Sequence, residues 1–133
     1  MQKNFLKKII AQSPEDLQLI SACCSEGLVK LSEIKYLKKN KIFFLSIERL
    51  SKESENKKNK ITSIIKFDYV DSSKSKNINN NDKKSSLKLV AIDLYKREQN
   101  YEITLLFLNN VIITLTAEII EVTLEDQKFN DKD

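Results

Sequence analysis

The sequence predicts a mainly β, single-domain protein spanning residues 1–133: an antiparallel barrel or a two-sheet arrangement of about seven or eight strands, with one short N-terminal helix. Three observations predict it. Segments of period-two alternation recur from residue 28 onward. One pair, Asn109-Asn110, sits between apolar runs as a two-residue hairpin turn does. Only one stretch, residues 13–27, carries a full set of helix signals. A pleckstrin-like barrel is one candidate, with the helix covering an open end.

In that stretch, "SPEDLQLISACCSEG", Ser13 stands at an N-cap, Pro14 at the first helical position and Asp16 three residues after the cap. Leu17, Ile20 and Cys24 follow at helical spacing, and Gly27 lies where a left-handed C-terminal cap is wanted. Residues 14–25 therefore read as a short amphipathic helix. The rival is a strand with Leu17, Leu19, Ser21 and Cys23 on one face. Under either reading Cys23 and Cys24 are small core residues, since neither His nor Arg is near in sequence to activate a thiol.

"LVKLSEIKYL" alternates but slips phase at Ser32-Glu33, which gives two short strands or one with a bulge. "KKNK" is a polar turn. "IFFLSIERL" follows with Phe43, Leu45 and Ile47 on one face, and its flanking lysines suit an edge strand. "ITSIIKFDYV" puts Ile61, Ile65, Phe67 and Tyr69 on one side. "LKLVAIDLY" is apolar enough to be central. In "YEITLLFLNNVIITL" a type I′ turn at Asn109-Asn110 would pair Leu108 with Val111 and Leu106 with Ile113, and Phe107 with Ile112 on the other face. "AEIIEVTLED" fits a strand or a terminal helix. Residues 51–60 and 71–86 are polar and low in complexity and read as long mobile loops, each with four lysines against two acids. Residues 127–133 form an acidic tail.

The composition narrows the chemistry. The net charge is +4, yet 21 of the 23 basic residues are Lys, and Arg, the residue suited to bidentate phosphate and base recognition, occurs only at 49 and 97. Residues 1–117 hold 21 basic and 13 acidic side chains, whereas 118–133 hold 2 and 6. With no histidine, imidazole-dependent triads and His-based metal sites are excluded. A single glycine cannot build a phosphate-cradling loop or a dinucleotide fingerprint. Two adjacent cysteines cannot make a zinc knuckle. No enzyme activity, cofactor, metal, catalytic residue or membrane segment is expected, and the protein is expected in the cytoplasm.

Six segments, "SPEDLQLISACC", "VKLSEIKYL", "FFLSIERL", "IKFDYV", "LVAIDL" and "AEIIEVTLED", resemble in the same order an uncharacterised proteobacterial domain-of-unknown-function family. The resemblance covers nearly the whole chain apart from the two lysine-rich segments. Its Glu-Asp-Leu opening and Ser-Ala pair match Glu15-Asp16-Leu17 and Ser21-Ala22, and Arg49 and Asp68 also match. The chain departs from the pattern at Ser25-Glu26, at Glu48-Arg49-Leu50 and at the Asn109-Asn110 turn. The resemblance implies a small cytoplasmic protein with no assigned activity, often encoded near histidinol dehydrogenase and cell-wall enzymes. Arg49 and Asp68 are expected to make structural hydrogen bonds at strand ends, with contact to a partner as the rival role.

The functional expectation is a non-catalytic protein-interaction or adaptor module, with homodimerisation as one form of that contact. The alternative is a weak nucleic-acid-binding domain that uses the Lys-rich loops, with Tyr36 or Tyr95 as stacking residues.

Overall fold

The computed structural model describes residues 6–54, 57–79, 81–82 and 84–130, the side chains of 51–54 and 57–59 excepted. Its strands, in chain order, are β1 (Lys8–Ala11), β2 (Leu28–Lys30), β3 (Ile34–Leu37), β4 (Ile42–Ser54), β5 (Lys57–Phe67), β6 (Val70–Lys76), β7 (Ser86–Lys96), β8 (Tyr101–Phe107), β9 (Ile112–Ala117) and β10 (Val122–Asn130). One helix, α1 (Pro14–Cys24), lies between β1 and β2. All pairings are antiparallel, in the order β1-β10-β5-β4-β2-β7-β8-β9-β6, with β3 beside the start of β4. The sheet is open: it does not close into a barrel. The mainly β class and the single N-terminal helix are borne out.

The sheet curls about one core. Phe43, Leu45 and Ile47 of β4, Ile65 and Phe67 of β5 and Leu124 of β10 meet Leu89 of β7, Leu105 of β8 and Leu115 of β9 in a single buried cluster. Phe43 and Phe67 touch edge to face at 5.9 Å, a geometry that adds about 1 kcal/mol to the burial of their area. Helix α1 contributes Leu17, Ile20 and Cys24 to this cluster and packs on β7, β1 and β4. Its start follows the sequence: the Asp16 amide donates to Ser13 Oγ at 3.2 Å, and Pro14 stands in the first turn.

Several expectations are corrected. Among the described residues ten strands form where the sequence reading counts seven or eight, because that reading does not recognise β1 and β6. Residues 71–76 are not a loop but the polar edge strand β6, whose backbone pairs with β9 and needs no apolar face of its own. Residues 51–54 and 57–60 extend β4 and β5 through the same backbone ladder, and 55 and 56 lie outside the described residues. Of the acidic tail, 127–130 close β10, whose Lys128, Phe129 and Asn130 pair with Thr62, Ile61 and Lys60, and 131–133 lie outside the described residues. "AEIIEVTLED" supplies the start of β10, not a helix. Strand β4 is no edge strand along its first half, where β5 and β3 flank it. Tyr69 leaves the apolar face: it takes φ 60° in the turn before β6 and is exposed.

Two turns differ in detail. The left-handed residue after α1 is Glu26 (φ 70°), not Gly27. Glycine is required at 27 for space: a Cβ there would stand 2.6 Å from Ile47 Cδ1 and 3.0 Å from the Cys24 carbonyl. At the β8–β9 hairpin both Asn109 and Asn110 have positive φ, as expected, but the loop is three residues, 108–110. Leu106 accordingly pairs with Ile112 rather than Ile113, and the Phe107 amide donates to the Val111 carbonyl. The shift leaves Leu108 exposed and turns Leu105, Phe107 and Ile113 inward.

Candidate functional site

The site arises where β2 stops. This three-residue strand lies between β4 and β7, pairing Leu28 with Glu48 on one side and with Lys88 on the other. Before Leu28 the chain turns back through Gly27 and Glu26 into α1, so β4 and β7 part. The exposed flank of β7 is covered by that turn and by the helix. The Glu26 amide donates to the Leu89 carbonyl at 2.7 Å, and the Leu89 amide to the Gly27 carbonyl at 2.9 Å. Ser21 Oγ accepts from the Ile92 amide at 2.9 Å, and Ser25 Oγ donates to the Val90 carbonyl at 3.3 Å. Covering an edge in this way suppresses unwanted pairing. The other bank, β4 after Glu48, has no strand beside it among the described residues on the edge opposite β5.

A groove of about 830 Å³ fills this gap. Ile9 of β1 and Leu19, Ala22 and Cys23 of α1 form one wall, and Glu48, Arg49 and Leu50 of β4 the other, with Leu28 and Lys88 at the end where β2 closes it. Directly paired residues in an antiparallel ladder share a face. Leu28, Glu48 and Lys88 therefore stand on the outer face with the pair Leu50 and Lys60, whereas Arg49 points to the inner side. Leu19, Leu28 and Leu50 are 52%, 43% and 43% exposed.

At the inner wall lies a buried ionic cluster. Arg49 Nη2 donates to both oxygens of Asp126, at 2.9 and 3.1 Å, and its Nε donates to Ser63 Oγ at 3.2 Å. Ser63 Oγ donates to Asp126 Oδ1 at 2.7 Å, and the Lys7 backbone amide donates to Oδ2 at 3.0 Å. Burial by itself would raise the Asp126 pKa. The hydrogen bonds from Ser63, Arg49 and the Lys7 amide, with the guanidinium charge, outweigh it and hold the carboxyl below its ordinary value. The three side chains satisfy one another across β4, β5 and β10, so the cluster ties three strands together and presents no unsatisfied polar atom.

Cys24 is buried in the core, and burial pushes its thiol up to about 12, so it is no nucleophile. Cys23 is half-buried and lines the groove. The core reading therefore holds in full for Cys24, whereas Cys23 packs against the core and also lines the groove. Arg49 makes structural hydrogen bonds, as expected, but from the interior of β4 rather than a strand end. Asp68 follows the end of β5, where its amide donates to the Glu121 carbonyl and Lys66 stands 3.7 Å from its carboxylate. Tyr36 is half-buried against Phe43, and its hydroxyl donates to the Val70 carbonyl at 2.9 Å. Tyr95 is exposed, with the Arg97 guanidinium 5.9 Å from its ring centre.

Among the described residues no group of three or more Cys, Asp or Glu could hold a metal ion, and no helix is long and apolar enough to cross a membrane. Sequence reasoning missed Leu19, Leu28 and Leu50, because each sits in a different element and only the folded chain gathers them. It also missed Asp126. The signal available for that cluster was one of the chain's two arginines, set within an apolar strand.

Fold and site define a class: an open antiparallel β domain with a groove between its one helix and an uncovered strand edge. The chain belongs to the family described as "Protein of unknown function (DUF2948)", which it matches over residues 7–132. The resemblance read from the six segments thus leads to an uncharacterised family, as expected. No curated protein and no solved structure matches the chain.

Proposed function

We propose that the protein is a non-catalytic interaction module that holds a segment of another protein in the groove between α1 and β4. The observation that carries this reading is the convergence of Leu19, Leu28 and Leu50, all exposed, on one concave surface with Ile9 and Ala22. Single exposed leucines are ordinary, whereas a contiguous apolar surface rimmed by charges marks an interaction site. Lys7, Lys60, Lys88, Glu26 and Glu48 supply that rim. The buried Arg49–Ser63–Asp126 cluster supports the same reading, because its polar atoms are engaged with one another rather than directed at a substrate.

The test compares three immobilised proteins in the capture of cross-linked partners: the wild type, Leu28→Asp/Leu50→Asp, and Leu108→Asp. Leu108 is equally exposed but lies at the β8–β9 hairpin. Capture lost only with the groove variant supports the reading. Capture unchanged by it, or a wild-type dimer that the groove variant dissolves in gel filtration, overturns it.

A further inference from the structure

We infer that the groove's occupant is an extended peptide that joins β4 as an added strand, with acidic and apolar side chains in alternation. The inference rests on the groove reading above and names its partner class. Strand β4 runs 13 residues and pairs with β5 as far as Ser54. On its other edge β3 covers residues 42–45 and β2 covers Glu48, and no described strand follows. In an antiparallel pair, main-chain groups point alternately toward and away from the partner. After Glu48 and up to the register shift between Ser51 and Ser54, every second set of N–H and C=O groups on β4 therefore points away from β5 toward the groove. The flank of β7 across the gap is bonded to α1 and its following turn, so an added strand would pair with β4 alone.

Chemistry on the two faces of that vacancy differs. A strand laid along β4 continues the line of β2, and its side chains alternate between the faces. Inward-pointing ones meet Ile9, Leu19, Ala22 and Cys23, an apolar wall. Outward-pointing ones lie beside Leu28 and Leu50 and among Lys30, Lys60 and Lys88. Of the acids on that outer face, Glu48, which lines the groove, already stands 3.9 Å from Lys60 Nζ and accepts from Asn130 Nδ2 at 2.9 Å. Glu26 is the other acid on the rim. Positive charge remains in excess on the outer face, so acidic residues suit it and apolar residues suit the inner one. Main-chain pairing supplies the affinity and alternate side chains the selectivity, as in other cases of strand addition.

The probe is a fluorescein-labelled eight-residue peptide alternating Glu and Val, with a Lys and Val counterpart, titrated by anisotropy against the full chain. The expected result is binding at least tenfold tighter for the acidic peptide, weakened at least tenfold by Leu50→Asp and several-fold by Lys88→Glu, a surface change that keeps the test open if the first variant misfolds. Hydrogen exchange of those amides in 49–54 that point away from β5 should slow at least tenfold with the acidic peptide bound, and alkylation of Cys23 should slow with it. Equal binding of the two peptides, or binding with no slowing in 49–54, overturns the inference. If neither peptide binds while partner capture still depends on Leu28 and Leu50, the added-strand inference falls and the interaction-module reading stands. Failure of both experiments removes both.

Discussion

Replacing Arg49 with Met leaves the Asp126 carboxylate buried, with hydrogen bonds only from Ser63 and the Lys7 amide. The side chains of Arg49 and Asp126 are 7% and 1% exposed, so water cannot take the place of the guanidinium. Three bonds from the guanidinium are lost, two to Asp126 and one to Ser63, and hydrogen bonds to charged groups are worth about 1.5–3 kcal/mol each, while breaking one side of a buried ion pair costs about 3–5 kcal/mol. In urea, with a slope of about 2 kcal/mol per molar, that corresponds to a midpoint lowered by roughly 1.5–2.5 M. The double variant Arg49→Met/Asp126→Leu removes the stranded charge and should recover most of the loss, because apolar replacement of a buried pair is often close to neutral. Equilibrium unfolding by circular dichroism on the wild type, the two single variants and the double completes the cycle. A single-variant loss below about 1 kcal/mol, or a double-variant loss equal to the sum of the singles, would refute the claim that the pair is buried and coupled. The same cluster sets an acid limit. Because the folded state holds the Asp126 carboxyl below its unfolded value, the stabilisation is complete above the unfolded pKa of about 3.9 and is lost as pH falls through the folded value. The wild type should therefore lose stability below about pH 4, and Asp126→Leu in the double variant should flatten that part of the profile.

Gly27→Ala should destabilise by about 1–3 kcal/mol, since its Cβ would overlap Ile47 while both neighbours are fixed in the core, and a urea midpoint unchanged from wild type would contradict the geometry. Brief alkylation followed by intact-mass measurement should add one group to the native protein, at Cys23, and two after denaturation; native modification of Cys24 would contradict its burial. Ser21→Ala removes the acceptor for the Ile92 amide and should cost about 1 kcal/mol. It should also speed exchange of that amide, and an unchanged exchange rate would show that the helix does not cover the β7 edge.

Much of the fold was legible because local chemistry and tertiary packing agree. The Ser13 cap, Pro14 and the Leu17–Ile20–Cys24 spacing mark α1, and the phase slip at Ser32-Glu33 marks the 3-10 turn at Leu31–Glu33 that divides β2 from β3. Where they part company, the sequence misleads. Strand β6 carries Ser and Lys because an edge strand needs only backbone partners on one side, so its polarity imitates a loop. Hairpin register turned on one loop residue, which two positive-φ asparagines leave open. At the site, Arg49 stood out by type. Its partner Asp126 lies 77 residues away, at the end of "AEIIEVTLED", where the neighbouring acids do not single it out.

By itself the sequence determined the β class, the helix and its start, the two positive-φ asparagines of the hairpin and many of the inward-facing side chains, since each follows from spacing and residue type within a few positions. The missing imidazole, the lone glycine and the adjacent cysteines likewise bounded the chemistry. Only the tertiary structure decided what stands next to what. It closed Arg49, Ser63 and Asp126 into one cluster, brought Leu19, Leu28 and Leu50 to one groove, and ended β2 so that, among the described residues, no strand lies beside β4 after Glu48 on the edge opposite β5. Those outcomes depend on strand order and register between distant segments, and burial energy that sums over a whole core selects them rather than any local pattern.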